Sequence, residues 1–179
     1  MKRNTIKTTV SFLIILIIIS CKETITAEQK LINIEKVQND KLEADLFVEA
    51  TQHNLNTIAL CDAIAETEKN QEVKDIAINI KVSQQKILNK LQNLAEENMI
   101  SVASKPTYQL NVLKYLKNEE VVTTDILGTI KNKLETQIEV LDTLRRNTDD
   151  DQIEFATQGY IEIIKVNKEL AQHTLESLK

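Results

Sequence analysis

The chain has 179 residues, a formal net charge of -5, two cysteines, two glycines, one proline and no tryptophan. So little Gly and Pro leaves few residues for the tight turns of a sheet and predicts an almost entirely helical protein. An acidic, aromatic-poor chain argues against nucleic acid or anionic lipid as a partner, and two cysteines cannot build a disulfide framework if one of them is modified.

The first element is a short apolar run, Val10 to Ile19, preceded by Lys2, Arg3 and Lys7. Ten residues rise only about 15 Å as a helix, half the roughly 30 Å hydrocarbon core of a bilayer. The run therefore reads as a secretory signal rather than a span. Ile18-Ile19-Ser20-Cys21 resembles the lipobox of bacterial lipoproteins, in which the cysteine thiol takes a diacylglycerol, cleavage makes that cysteine the first residue, and its amine is usually acylated. Two or more acyl chains give stable anchoring where one does not. Residues 1–20 are thus expected to be a lipoprotein signal peptide, and Cys21 the lipidation site. Loss of Lys2, Arg3 and Lys7 would take the net charge from -5 to -8. Lys22, not Asp, follows Cys21. Cys21-Lys22-Glu23 resembles the start of a surface-export signal, a Lys followed by acids, with Thr24 in place of a second acid. The expected location is the outer membrane or the cell surface, with the leaflet open.

Residues 21–39 read as a lipidated cysteine and a polar tether, with Leu31, Ile32, Ile34 and Val37 in a short helix within it. Residues 40–179 read as the folded domain. A first helix from about Asp40 to Glu68 places Phe47, Ala50, Asn54, Ile58, Cys61 and Ala65 on one face at spacings of three and four. A second starts at Asn70, a good N-cap, with Glu72 in its first turn. Its inner face is Val73, Ile76, Ala77, Ile80, Gln84, Ile87, Leu91, Leu94 and Ala95. Asn98 to Pro106 is a connection, followed by a short helix from Tyr108 to Leu116. A third long helix, about Thr123 to Arg146, turns Leu127, Ile130, Leu134, Ile138, Leu141 and Leu144 inward. After a turn at Asn147 to Asp151, the last helix carries Ile153, Ala156, Tyr160, Ile163, Asn167, Leu170, Ala171 and Leu178. Four amphipathic helices with short turns predict an all-α, antiparallel four-helix bundle.

Phe47-Val48-Glu49-Ala50, Leu55, Ile58, Leu60, then Glu72-Val73-Lys74-Asp75-Ile76-Ala77 and Leu88 to Leu91 carry a family resemblance. Over this stretch the chain resembles the ferritin-like family called domain of unknown function 4142, whose members are often described as outer-membrane proteins. The resemblance implies a ferritin-like bundle. It also shows departures. The family's helix-one Glu falls on Thr57, its Asp-His on Ser83-Gln84, and its last-helix His on Asn167. The third helix has no His. Di-metal sites of such bundles use Glu and Glu-x-x-His facing the core, and this chain has no Glu-x-x-His, so the resemblance implies no metal at those positions.

Asn54, Gln84 and Asn167 fall on three of the four inner stripes. Buried amides need partners. The pattern predicts a hydrogen-bonded polar layer, direct or through water, that fixes helix register; the other reading is a small polar cavity for a ligand. His53 and His173 are the only histidines, each four residues after a Glu (Glu49 and Glu169). In an up-down-up-down bundle these pairs would approach one another and offer a two-His, two-Glu metal site; otherwise they are ordinary surface pairs. Cys61, on the inner stripe, reads as a small apolar residue. No nucleophile arrangement and no phosphate loop is present. The reading is a non-enzymatic lipoprotein with no cofactor, held to the membrane by lipid and acting on an unidentified envelope or surface protein; the alternative is a ferritin-like metal-binding or redox protein.

Overall fold

A computed structural model of the chain describes residues 27–107 and 119–178. Cys21, the signal segment, the start of the tether and the Tyr108–Leu116 helix lie outside the described residues. Four helices are formed: α1 (Ala27–Thr67), α2 (Gln71–Glu97), α3 (Glu119–Asn147) and α4 (Asp151–Ser177). The chain divides after Gln38 into two units, and the bundle is the unit from Asn39 to Lys179. α1 begins at Ala27, inside the stretch expected to be a tether. That stretch holds no Gly or Pro and is rich in Ala, Glu, Gln, Lys and Leu, so helix propensity runs uninterrupted through it.

The ends of the helices are set by side chains. Asn70 caps α2: its Oδ1 accepts from the backbone N–H of Glu72 at 3.0 Å and of Val73 at 3.4 Å. Asp150 caps α4 in the same way, accepting from Gln152 at 2.7 Å and Ile153 at 3.3 Å. Its charge also opposes the positive helix end. Asp150→Ala should therefore lower the unfolding free energy by about 1–2 kcal/mol, read from urea midpoints at unchanged slope. Glu68 ties the α1–α2 turn to α3. One carboxylate oxygen accepts from the N–H of Lys69 and of Asn70, both at 2.7 Å, and the other from the Thr123 hydroxyl at 2.6 Å. Partial burial pushes this carboxyl up, but those three hydrogen bonds outweigh it and hold its pKa below the usual value. α2 stops in a Schellman turn: Ile100 N–H reaches Ala95 O at 2.7 Å and Met99 N–H reaches Glu96 O at 3.0 Å. Met99 takes the left-handed position, φ 57°, that glycine usually fills.

Contacts across the bundle fix its direction. Asp62 pairs with Lys81, so α1 and α2 run antiparallel about the turn at residues 68–70. Arg145–Glu154 and Lys168–Glu135, each 3.8 Å, make α3 and α4 antiparallel. Gln152 of α4 donates to Glu97 of α2 at 3.2 Å, and Ser83 donates to Asn167 at 3.0 Å, so α2 and α4 are antiparallel neighbours too. Glu68, at the end of α1, meets Thr123, at the start of α3. The order is thus up, down, down, up, and α3 begins at the end of the bundle opposite to the one where α2 stops. This one long crossover is the connectivity of ferritin-like bundles. The link's described part lies against α1: Asn56 Oδ1 accepts from Thr107 N–H at 2.8 Å and from its hydroxyl at 3.1 Å, and Gln52 donates to Lys105 O at 3.3 Å. Asn56 is consequently buried.

The core is continuous through all four helices. Phe47, Ile64, Ile80, Ile87, Leu91, Leu127, Ile130, Leu134, Leu141, Leu144, Ile153 and Ile164 are its largest fully buried side chains. On α4 the buried residue is Ile164, and Ile163, expected inside, is exposed. On α3, Ile138 packs only at the edge of the core. No helix among the described residues is long and apolar enough to cross a membrane.

Candidate functional site: a buried amide layer

Apart from Asn56, which holds the link, four carboxamides are buried, one from each helix. Asn54, Gln84 and Gln137 have no exposure, and Asn167 has 6 %. Gln137 is not among the apolar residues that define the inner stripe of the third helix. It lies three residues after Leu134 and four before Leu141, both fully buried, so helical periodicity admits it as readily as its apolar neighbour Ile138.

The cross-helix contacts put these residues near one level. Ser83, beside Gln84, donates to Asn167 Oδ1. From the Glu68–Thr123 contact, the same number of steps back along α1 and forward along α3 leads to Asn54 and Gln137. The Asp62–Lys81 pair places Asn54 within about a turn or two of Gln84. α1 surrounds its amide with short, fully buried side chains: Ala50, Thr51, Thr57 and Cys61. No buried Asp, Glu, Lys or Arg is found among the described residues.

Seven carboxamide atoms of this layer have no protein partner: both polar atoms of Asn54, Gln84 and Gln137, and the Asn167 nitrogen. Thr51 Oγ1 is also unpartnered. Thr57, Thr157 and Thr174 bond their own helix, Thr57 to His53 O at 2.9 Å and Thr157 to Ile153 O at 2.7 Å, and buried Thr123 bonds Glu68. An unsatisfied buried polar group costs about 1–3 kcal/mol. Seven of them together would match or exceed the whole stability of a typical domain, about 5–15 kcal/mol. The layer therefore requires partners beyond the carboxamide contacts of this arrangement.

The histidines do not come together. His53 lies on α1 with its Nε2 3.5 Å from Glu49 Oε1. His173 is exposed on the last turns of α4, where it lines an end cleft of about 320 Å³ with Glu72, Val73, Ile76, Leu170 and Ser177. In the up-down-down-up order, the part of α1 that carries His53 and the end of α4 lie toward opposite ends of the bundle. His53 and His173 are more than two helical turns apart along the axis, at least about 10 Å. Glu169 is exposed on α4. Among the described residues no group of three His, Cys, Asp or Glu side chains is arranged to hold a metal. Thr57, Gln84 and Asn167, where the family resemblance would put ligands, are buried but neutral, so the residues present do not fit a di-metal centre.

Burial and the nearby Lys133 charge lower the pKa of His53 below 6.5, against the opposing pull of Glu49. Its neutral form is thus favoured by folding. The stability tied to it is present above the unfolded pKa and is lost as the pH falls through the folded one. The thermal midpoint should drop as the pH is lowered from about 7 to about 5, and His53→Asn should flatten that slope; an unchanged slope would assign it to other groups. Cys61 is a free, buried thiol whose pKa burial pushes up to about 12, with Asp62 adding to the shift. It is protonated at neutral pH and unsuited to nucleophilic work.

No family model, no curated protein and no solved structure matches this chain.

Proposed function

We propose that this protein is a lipid-anchored envelope lipoprotein whose helical bundle works without catalysis, through contacts with other proteins at the outer membrane or cell surface. The observation that carries the reading is Ser20-Cys21 placed directly after the apolar run and its basic flank. The bundle adds support. The buried polar side chains of the described core are neutral amides and hydroxyls, and its one described thiol is buried. On the outside, Phe155, Ile163 and Val166 of α4 are exposed along one face, Phe155 at 85 %. Gly159 lies between them with open space around it. Exposed apolar side chains gathered on one helix face suit a protein contact. In family terms the domain reads as a member of the domain of unknown function 4142 type that lacks the charged ligands.

Labelling with a palmitate analogue tests the anchor. The full chain should carry label and fractionate with membranes, while Cys21→Ser should lose both label and membrane association. An unlabelled full chain, or a variant that stays in the membrane fraction to the same extent, would overturn the reading.

A further inference from the structure

The geometry points to a sealed binding chamber at the amide layer, holding a neutral guest that both donates and accepts hydrogen bonds: ordered water, or a small organic molecule of the carboxamide or polyol class.

Three observations carry this. The first is the balance of what is unpaired. The carboxamide nitrogens of Asn54, Gln84, Gln137 and Asn167 need acceptors, while the oxygens of Asn54, Gln84 and Gln137 need donors. The hydroxyl of Thr51 can serve either need. A cation would satisfy only the oxygens and an anion only the NH2 groups. Either would leave about half of the layer unpaired, with no buried Asp, Glu, Lys or Arg among the described residues to balance it. A neutral molecule with both kinds of group satisfies the whole set. The second observation is position. One amide comes from each helix, and all four are at least nine-tenths buried. A guest between them would touch every helix of the bundle, and buried water commonly makes about three such bonds. The third is the lining that α1 supplies. Ala50, Thr51 and Thr57 are short and fully buried, and α4 adds the fully buried Ala171 four residues after Asn167.

The occupant of the chamber is detected directly in the purified full chain. Nuclear Overhauser contacts between long-lived water and the side-chain NH2 protons of Asn54, Gln84 and Gln137 would identify water. A bound mass in native mass spectrometry, released on denaturation, would identify an organic guest. Either result supports the chamber. Gln137→Met keeps the volume and removes one amide, so helix content should be retained. In that variant the water contacts at Asn54 should weaken severalfold, or the bound mass should be lost. Absence of both signals in the full chain, or an undiminished signal at Asn54 in folded Gln137→Met, would overturn the proposal in favour of amides bonded directly to one another. Neither outcome bears on the lipid anchor, which palmitate labelling tests separately.

Discussion

Phe47→Ala should lower the unfolding free energy by about 3–5 kcal/mol, whereas Phe155→Ala should change it by less than about 0.5 kcal/mol. The two side chains are chemically identical, so the difference isolates environment. Phe47 is fully buried and belongs to the cluster that joins all four helices. Removing its ring leaves a cavity lined by atoms that relax only partly, and the lost dispersion contacts add to the lost transfer energy. Phe155 is 85 % exposed and gives up almost nothing on truncation. Urea unfolding of both variants at one temperature measures the pair. Equal losses would mean that Phe155 is covered in the protein as isolated, for example by self-association. If Phe155 serves a protein contact, its truncation should impair that contact while leaving the unfolding midpoint in place, which is the separation a purely structural residue cannot show.

The helices themselves are readable from the sequence because their apolar residues recur with the helical period and because Asn70 and Asp150 stand where caps are needed. Neighbouring residues are harder to assign. Ile163 and Ile164 differ by one position, about 100° of rotation, and either continues a three-four pattern from Tyr160. Only packing decides that Ile164 goes inside. Gln137 and Ile138 pose the same choice, and hydropathy alone favours the wrong one. The buried amide is chosen because its angle on the helix points to the core, and the amides on the other three stripes are the signal that a fourth belongs with them. Topology is less legible still. Periodicity describes each helix separately and is silent about which helix lies beside which. The length of the α2–α3 connection is the only local hint of a crossover, and it is long enough either to cap one end or to run back along the bundle. That ambiguity is what let His53 and His173 be drawn together from the sequence. The Glu68–Thr123 and Gln152–Glu97 contacts remove it.

Gln84→Glu, nearly the same in shape, should turn the amide layer into a pH-dependent fault. Gln84 has no exposure, and burial can raise a carboxyl pKa by as much as 3–5 units. Each unit corresponds to about 1.4 kcal/mol. The groups near this level are the amides of Asn54, Gln137 and Asn167, with Ser83 alongside. Cations in the neighbourhood include Lys133, which acts on His53, Lys81, which is engaged by Asp62, and Lys168, which is 3.8 Å from Glu135. Amide NH2 groups can offset part of the penalty by donating to a carboxylate, but they do not supply a charge. The folded-state pKa should therefore lie above the unfolded value of about 4.3. Below that unfolded value the acid is neutral in both states and the variant should stay within about 1 kcal/mol of the parent. As the pH rises through the folded pKa, the deficit should grow to about 3 kcal/mol or more at pH 7. Gln84→Met, which adds no titratable group, should give a profile parallel to the parent's. A flat difference between Gln84→Glu and Gln84→Met across this range would mean that the carboxylate is freely hydrated, and hence that the layer opens to bulk solvent. A rising difference would mean that the four amides form a closed polar interior, in which a neutral guest is tolerated and an ionised side chain is not.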